Sequence, residues 1–145
     1  MTKTVHGTTN YKALAPFLAV LNKAQDECGT AWKRFTAKGY MDLSMEKLGY
    51  ADHKGRPVYY MAHYGEQNGD LMADPEIRFS VDYDAGIVEP LEFRNDYMGV
   101  YQQVYIERGG TLLYSRHLRT DLDAFLWQWT KNLADQGFNP NTVAA

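Results

Sequence analysis

The chain predicts an α+β fold, an antiparallel meander of about six strands with one N-terminal and one C-terminal helix packed against it. Apolar residues recur at helical spacing near both ends of the chain and alternate with polar residues through its middle. Turn-forming residues divide the alternating part into hairpins. Helices at the ends with only hairpins between them leave a sheet that must bury one face against those helices.

In residues 16–28, Phe17, Leu18, Leu21, Ala24 and Cys28 fall on one helical face, with Pro16 suited to the first turn and Gly29 to the position past the end. Cys28 is thereby expected to be a small buried hydrophobe, not a nucleophile. Residues 32–39 fit either a helix extension or a strand and are left unassigned. Met41, Leu43 and Met45 alternate with Asp42, Ser44 and Glu46, and a turn over residues 52–55 leads into a strand over 58–64. Ile77, Phe79, Val81 and Tyr83 alternate with Arg78, Ser80 and Asp82, the clearest strand in the chain. A turn at Asp84, Ala85 and Gly86 leads to residues 87–94, where Pro90 indicates an edge strand or a bulge. Residues 100–107 and 111–116 form a last hairpin around Gly109 and Gly110. In the final helix Thr120 caps and Asp123 returns the bond, Leu122, Phe125, Leu126, Trp129 and Leu133 make the core stripe, and Gly137 and Pro140 end it.

With 145 residues and no repeat or linker, residues 1–145 are expected to form one domain, with 1–10 and 139–145 flexible. A single cysteine excludes an internal disulfide, and neither a leader pattern nor a long apolar run is present, so a cytoplasmic location is expected. A net charge of −3 argues against a protein that mainly coats phosphate backbones, which requires clustered Lys and Arg.

One stretch stands out, His63-Tyr-Gly-Glu-Gln-Asn-Gly-Asp-Leu-Met-Ala-Asp-Pro-Glu-Ile-Arg-Phe79. Together with the Tyr-Met-Gly-Val-Tyr-Gln-Gln-Val-Tyr block ending at Tyr105 and the Trp129-Thr-Lys-Asn-Leu-Ala-Asp-Gln-Gly-Phe138 block, it resembles a family of small uncharacterised bacterial proteins found on phages, plasmids and integrative elements. The resemblance brings no activity that can be assigned residue by residue. It implies genomic company, and with it a protein that antagonises a host defence system or serves as an accessory factor.

Within that stretch, residues 66–76 read as a long acidic loop. His63, Glu66, Asp70, Asp74 and Glu76 are the residue types that hold a divalent metal and could make a metal-dependent hydrolase, although their spacing matches no metal motif. The plainer reading is turn chemistry, with Asn68-Gly69 and Asp74-Pro75 as turn pairs and the carboxylates solvated. Leu71 and Met72 are expected to tuck back onto the sheet and order the loop. As a recognition surface the loop would offer His63, Glu66, Asn68, Asp70, Leu71, Met72, Asp74 and Glu76.

A second candidate surface is a polar-aromatic strand carrying Tyr97, Tyr101, Gln103 and Tyr105, with Tyr101, Gln103 and Tyr105 on one face. With Arg78, Arg94, Arg108 and Arg116 it could stack on single-stranded nucleic acid, while cross-strand packing of the tyrosines is the plainer account. His117, between Arg116 and Arg119, fits a solvated basic turn, and His6 and His53 read as loop residues. The sequence therefore points to a non-enzymatic macromolecular-binding module with no cofactor and no membrane span. Its expected partner is a host or element-encoded protein, ahead of nucleic acid. The metal-dependent hydrolase is the alternative.

Overall fold

The computed structural model describes residues 4–144. Helix α1 (Gly7–Cys28) leads into strands β1 (Trp32–Phe35), β2 (Leu43–Ala51), β3 (Pro57–Gln67), β4 (Asp70–Asp82), β5 (Ile87–Asn95) and β6 (Val100–Gln103). A short ribbon of β7 (Tyr105–Arg108) and β8 (Thr111–Tyr114) follows, then helix α2 (Arg116–Gln136). The main sheet has the order β1-β2-β3-β4-β5-β6, every neighbour antiparallel, and β7-β8 is a separate two-stranded sheet.

The α+β meander between two terminal helices is as expected, but its sixth strand is β1, from the unassigned stretch. The expected last hairpin leaves the sheet instead. Val104, 1% exposed, turns into the core and separates β6 from β7. Gly109 and Gly110 take the positive φ angles of the ribbon turn. Pro90 marks a bulge and not an edge, because Phe79 pairs with Pro90 and Arg78 with Glu92, leaving Leu91 extra.

Helix α1 starts nine residues before the expected Pro16, which lies inside it. The buried series Gly7, Asn10, Leu14, Phe17, Leu18, Leu21 and Ala24 keeps helical spacing through two positions that no apolar pattern reveals. A Cβ on Gly7 would lie 2.9 Å from Ile87 Cγ2, so glycine allows the helix to approach β5. Asn10 Nδ2 donates to Asp123 O at 3.3 Å and His6 N–H to Asp123 Oδ2 at 2.8 Å, fastening α1 to α2. Residues 7–10, expected to be flexible, are thus folded, while residues 1–3 lie outside the described part. Cys28, expected in the core, is exposed at the helix end.

Asp123 is therefore a buried tie and not part of a capping box. The cap of α2 is Ser115, whose Oγ accepts from Leu118 N–H at 3.2 Å, and Thr120 Oγ1 donates to Arg116 O within the helix. Gly137 closes the helix at φ 99°, with Phe138 N–H bonded to Leu133 O at 3.0 Å. The segment after it is also ordered against the sheet, with a 3-10 turn (Pro140–Thr142) and a bridge from Val143 to Phe35.

Both helices cover one face of the sheet. The core there holds Leu14, Leu18 and Leu21 from α1, Leu122, Leu126, Trp129 and Leu133 from α2, and Phe35, Leu43, Met45, Met61, Ile77, Phe79 and Val81 from the strands. Each fully buried side chain of this size contributes about 1.5–3 kcal/mol. Among the described residues the opposite face carries no helix.

Candidate functional site

Registration of the strands assembles the open face from residues far apart in sequence. One row across the sheet runs Trp32, Glu46, Tyr60, Arg78, Glu92, Gln103, and the next runs Arg34, Ser44, Ala62, Glu76, Arg94, Tyr101. Neighbours in such rows lie about 4.5–5.5 Å apart, so charges and rings of adjacent strands interact directly. A cleft of about 460 Å³ opens toward β6, lined by Glu76, Arg78, Glu92, Arg94, Asp96 and Tyr101.

The charges in the cleft are held by one another. Glu76, 7% exposed, accepts from Tyr64 OH at 2.9 Å and lies 3.9 Å from Arg78. Arg78 also reaches Glu92 at 3.7 Å and donates to Tyr50 OH at 2.8 Å. Burial acts to lower the Arg78 pKa, but the Tyr50 bond and the two carboxylates outweigh it and raise it. Arg94 grips Asp96 with two bonds of 2.7 and 2.9 Å, and this contact, with the N–H of Ala73, holds the Asp96 carboxyl below the usual range. Burial and the adjacent Glu76 raise the Tyr64 hydroxyl far above its ordinary value. Tyr101 stands at the rim, 61% exposed, with its hydroxyl accepting from Gln103 Nε2 at 3.1 Å.

The expected acidic loop is mostly strand. β3 runs to Gln67 and β4 starts at Asp70, so the connection is only Asn68 and Gly69, at φ 54° and 83°. That pair of positive angles is the two-residue hairpin turn for which Asn-Gly is the preferred sequence. The candidate residues consequently disperse. Glu66, Asp70 and Leu71 flank the exposed tip, and Leu71, expected to tuck back, is 66% exposed. Met72 pairs with Gly65 and is half-buried.

A bulge sets one residue of β3, His63, against Asp74 and Pro75 of β4. His63 is buried on the helix side, where its Nδ1 bonds Asp42 O at 3.0 Å and its Nε2 accepts from Trp129 Nε1 at 3.4 Å. Both ring nitrogens are engaged, which fixes the proton on Nδ1. Glu76 lies on the opposite face. The five side chains of the expected metal cluster do not gather, and among the described residues no three His, Cys, Asp or Glu side chains are placed to hold a metal ion.

The structure does join parts of the two candidate surfaces. Ala73 N–H donates to Asp96 Oδ2 at 2.8 Å, Asp96 N–H returns a bond to Ala73 O, and Asn95 Nδ2 reaches Asp74 Oδ1 at 3.4 Å. Tyr97 lies over Gly65, where an added Cβ would collide with its hydroxyl. Tyr101 and Glu76 share the cleft. Tyr105 does not belong with Tyr101, because the break at Val104 sends it to the far end of β5, where its hydroxyl donates to Glu89. Arg108 and Arg116 are likewise on the ribbon and on α2, not on the main sheet.

At that far end lies a buried ionic network that residue pattern alone does not reveal. Glu89, 6% exposed, accepts from Arg56 Nη2 at 2.7 Å and lies 3.9 Å from Arg119, and Arg56 is also bonded to Asp52 at 2.7 Å. His53 packs against Tyr105 with ring centres 4.4 Å apart. Two carboxylates and two guanidinium groups thereby anchor the ribbon and the β2–β3 turn to β5.

Together these features define an α+β domain with two helices on one side of an antiparallel sheet and an open, charge-paired, aromatic face on the other. The chain belongs to a family sharing a domain of unknown function, DUF6908, whose model matches residues 12–139. No curated protein and no solved structure matched the chain.

Proposed function

We propose that the protein is a non-enzymatic binding module that grips another protein on the open face of its sheet. The observation that carries this reading is the cleft of Glu76, Arg78, Glu92, Arg94 and Asp96 rimmed by the exposed Tyr101. Tyrosine, tryptophan and arginine dominate the energetics of protein interfaces, and here Trp32, Tyr50 and Tyr101 are 44%, 49% and 61% exposed among arginines already oriented by carboxylates. Pre-oriented side chains lose little freedom on binding, which favours affinity.

The pairing of charges also separates the classes of partner. Arg78 and Arg94 are committed to Glu76, Glu92 and Asp96, and Arg34 to Asp42 at 3.3 Å, so a phosphate would have to displace a carboxylate at each of them. A protein surface can meet the same mosaic with complementary charges. The resemblance to proteins of phages, plasmids and integrative elements extends the proposal to a partner within a host defence system.

Capture from host lysate at physiological salt, run with the wild type, with Tyr101→Ala and Arg78→Ala, and with Lys23→Glu on the opposite side, tests the reading. A partner retained by wild type and Lys23→Glu but lost with the cleft variants is expected. No specific partner, or equal capture by all four, overturns it. Single-stranded DNA binding that weakens steeply with salt in fluorescence anisotropy would favour nucleic acid instead.

A further inference from the structure

The two edges of the main sheet are finished differently. β1 is covered by the chain's own C-terminal segment, with Ala144 N–H bonded to Arg34 O at 2.7 Å and Thr36 N–H to Thr142 O at 2.9 Å. β6 has β5 on one side and, among the described residues, no strand on the other. The bond from Val104 N–H to Leu91 O extends the β5–β6 ladder in the alternation that turns Val100 and Gln102 toward β5. The backbone groups of Tyr101 and Gln103 therefore face outward. Edges that stay unpaired are commonly guarded by shortness, a charge, a proline or a bulge, and β6, though only four residues long, reads Val-Tyr-Gln-Gln with neither charge nor proline.

We propose that this edge pairs with β6 of a second copy of the chain, antiparallel about a two-fold axis through Gln102. A two-fold axis sets residues near it against their own kind, so a charged strand would repel itself, and β6 carries no charge. Centring on Gln102 sets Tyr101 opposite Gln103 of the second copy. Both side chains lie on the open face, and the outward backbone groups of each pair exchange two hydrogen bonds. Gln103 Nε2 already donates to Tyr101 OH within one chain, so the same two groups are complementary across the axis. Met98 in the β5–β6 turn and Ile106 in the ribbon after Val104, 73% and 43% exposed, add apolar surface near the strand but are not part of the paired ladder. The dimer would join two open faces into one surface with a cleft on each side of the axis.

This proposal is independent of any binding partner, because purified chain alone decides it. Sedimentation equilibrium over a range of concentrations is expected to give twice the 16.6 kDa chain mass. Gln103→Pro removes an outward N–H while sparing the bonds to β5, and is expected to give a monomer with an unchanged circular dichroism spectrum. Gln102→Lys and Gln102→Glu are each expected to be monomeric, and their equimolar mixture to recover the doubled mass. If Gln103→Pro fails to fold, the charged pair decides by itself. A wild type that stays monomeric at every concentration, a dimer untouched by Gln102→Lys, or a mixture that does not recover mass overturns the proposal.

Discussion

Replacing Glu89 by alanine takes one carboxylate from a buried set of two carboxylates and two guanidinium groups, and removes the acceptor of the Tyr105 hydroxyl. Breaking a buried ion pair by deleting one partner costs about 3–5 kcal/mol, and the lower end applies because Arg56 keeps Asp52 at 2.7 Å. For a chain of this size each kcal/mol corresponds to roughly 3 °C, so Tm is expected to fall by about 9 °C. Urea unfolding followed by tryptophan fluorescence should show a midpoint lower by ~1.5 M at an unchanged slope. Glu89→Gln, which keeps an acceptor oxygen, should lose about half as much. Tyr105→Phe, which removes one donor, should lose about 1 kcal/mol. A Glu89→Ala protein within about 1 kcal/mol of wild type would refute the reasoning, because the network would then not be what anchors the ribbon to β5.

Gly65→Ala places a methyl group against the ring end of Tyr97, which is exposed enough to swing aside, and is expected to cost up to about 1 kcal/mol in urea unfolding. In a Tyr97→Ala background that cost should nearly vanish, and additive losses would contradict the packing of the β5–β6 turn on the β3–β4 hairpin. Burial acts to raise the Asp52 pKa, but the bonds from Arg56 and Lys54 outweigh it and hold it below its ordinary 3.8. A carboxyl lower in the folded than in the unfolded chain contributes stability that is whole above about pH 4 and lost as pH falls further. Asp52→Asn should therefore flatten the stability profile below pH 4, and an unchanged acid limb would count against the network. Ser115→Ala should cost about 1 kcal/mol as the loss of a helix cap, and Thr120→Ala much less. The reverse order in thermal melts would move the start of α2 back to Thr120.

The strands of the core were legible because each buries one face under the helices, which writes apolar-polar alternation into residues 43–46 and 77–82, while Met41 and Tyr83, which the pattern also included, lie outside the strands and are exposed. That signal fades where β3 and β4 extend past the helices. Glu66, Gln67, Asp70 and Leu71 are exposed, so nothing enforces apolar alternation, and a paired strand reads as a polar loop. The start of α1 was hidden for a related reason, since its buried first turn uses Gly7 for close approach and Asn10 for a hydrogen bond. Thr120 and Asp123 have the spacing of a capping box, yet burial gives Asp123 a partner 117 residues away at His6. Glu76, Arg78, Arg94 and Tyr101 were singled out from sequence, but the cleft that joins them to one another and to Glu92 and Asp96 depends on the register of three strands. No local pattern encodes that.

The bulge at His63 explains why one stretch of chain serves both layers. In a regular ladder each residue keeps its face, so a strand is committed throughout to helix side or open side in strict alternation. Setting His63 against two residues releases Asp74 from the ladder to meet Asn95, while Tyr64, two residues after Ala62, stays on the side of Glu76 by ordinary alternation. Ala73 is then placed to bond Asp96, the residue that holds Arg94 in the cleft. His63 itself is locked between Asp42 and Trp129. The joint thus connects helix α2, through His63, to the wall of the cleft within three residues of chain. His63→Ala is therefore expected to loosen the Ala73–Asp96 bond across the bulge, read as faster amide hydrogen exchange at Ala73, and unchanged exchange there would count against the coupling.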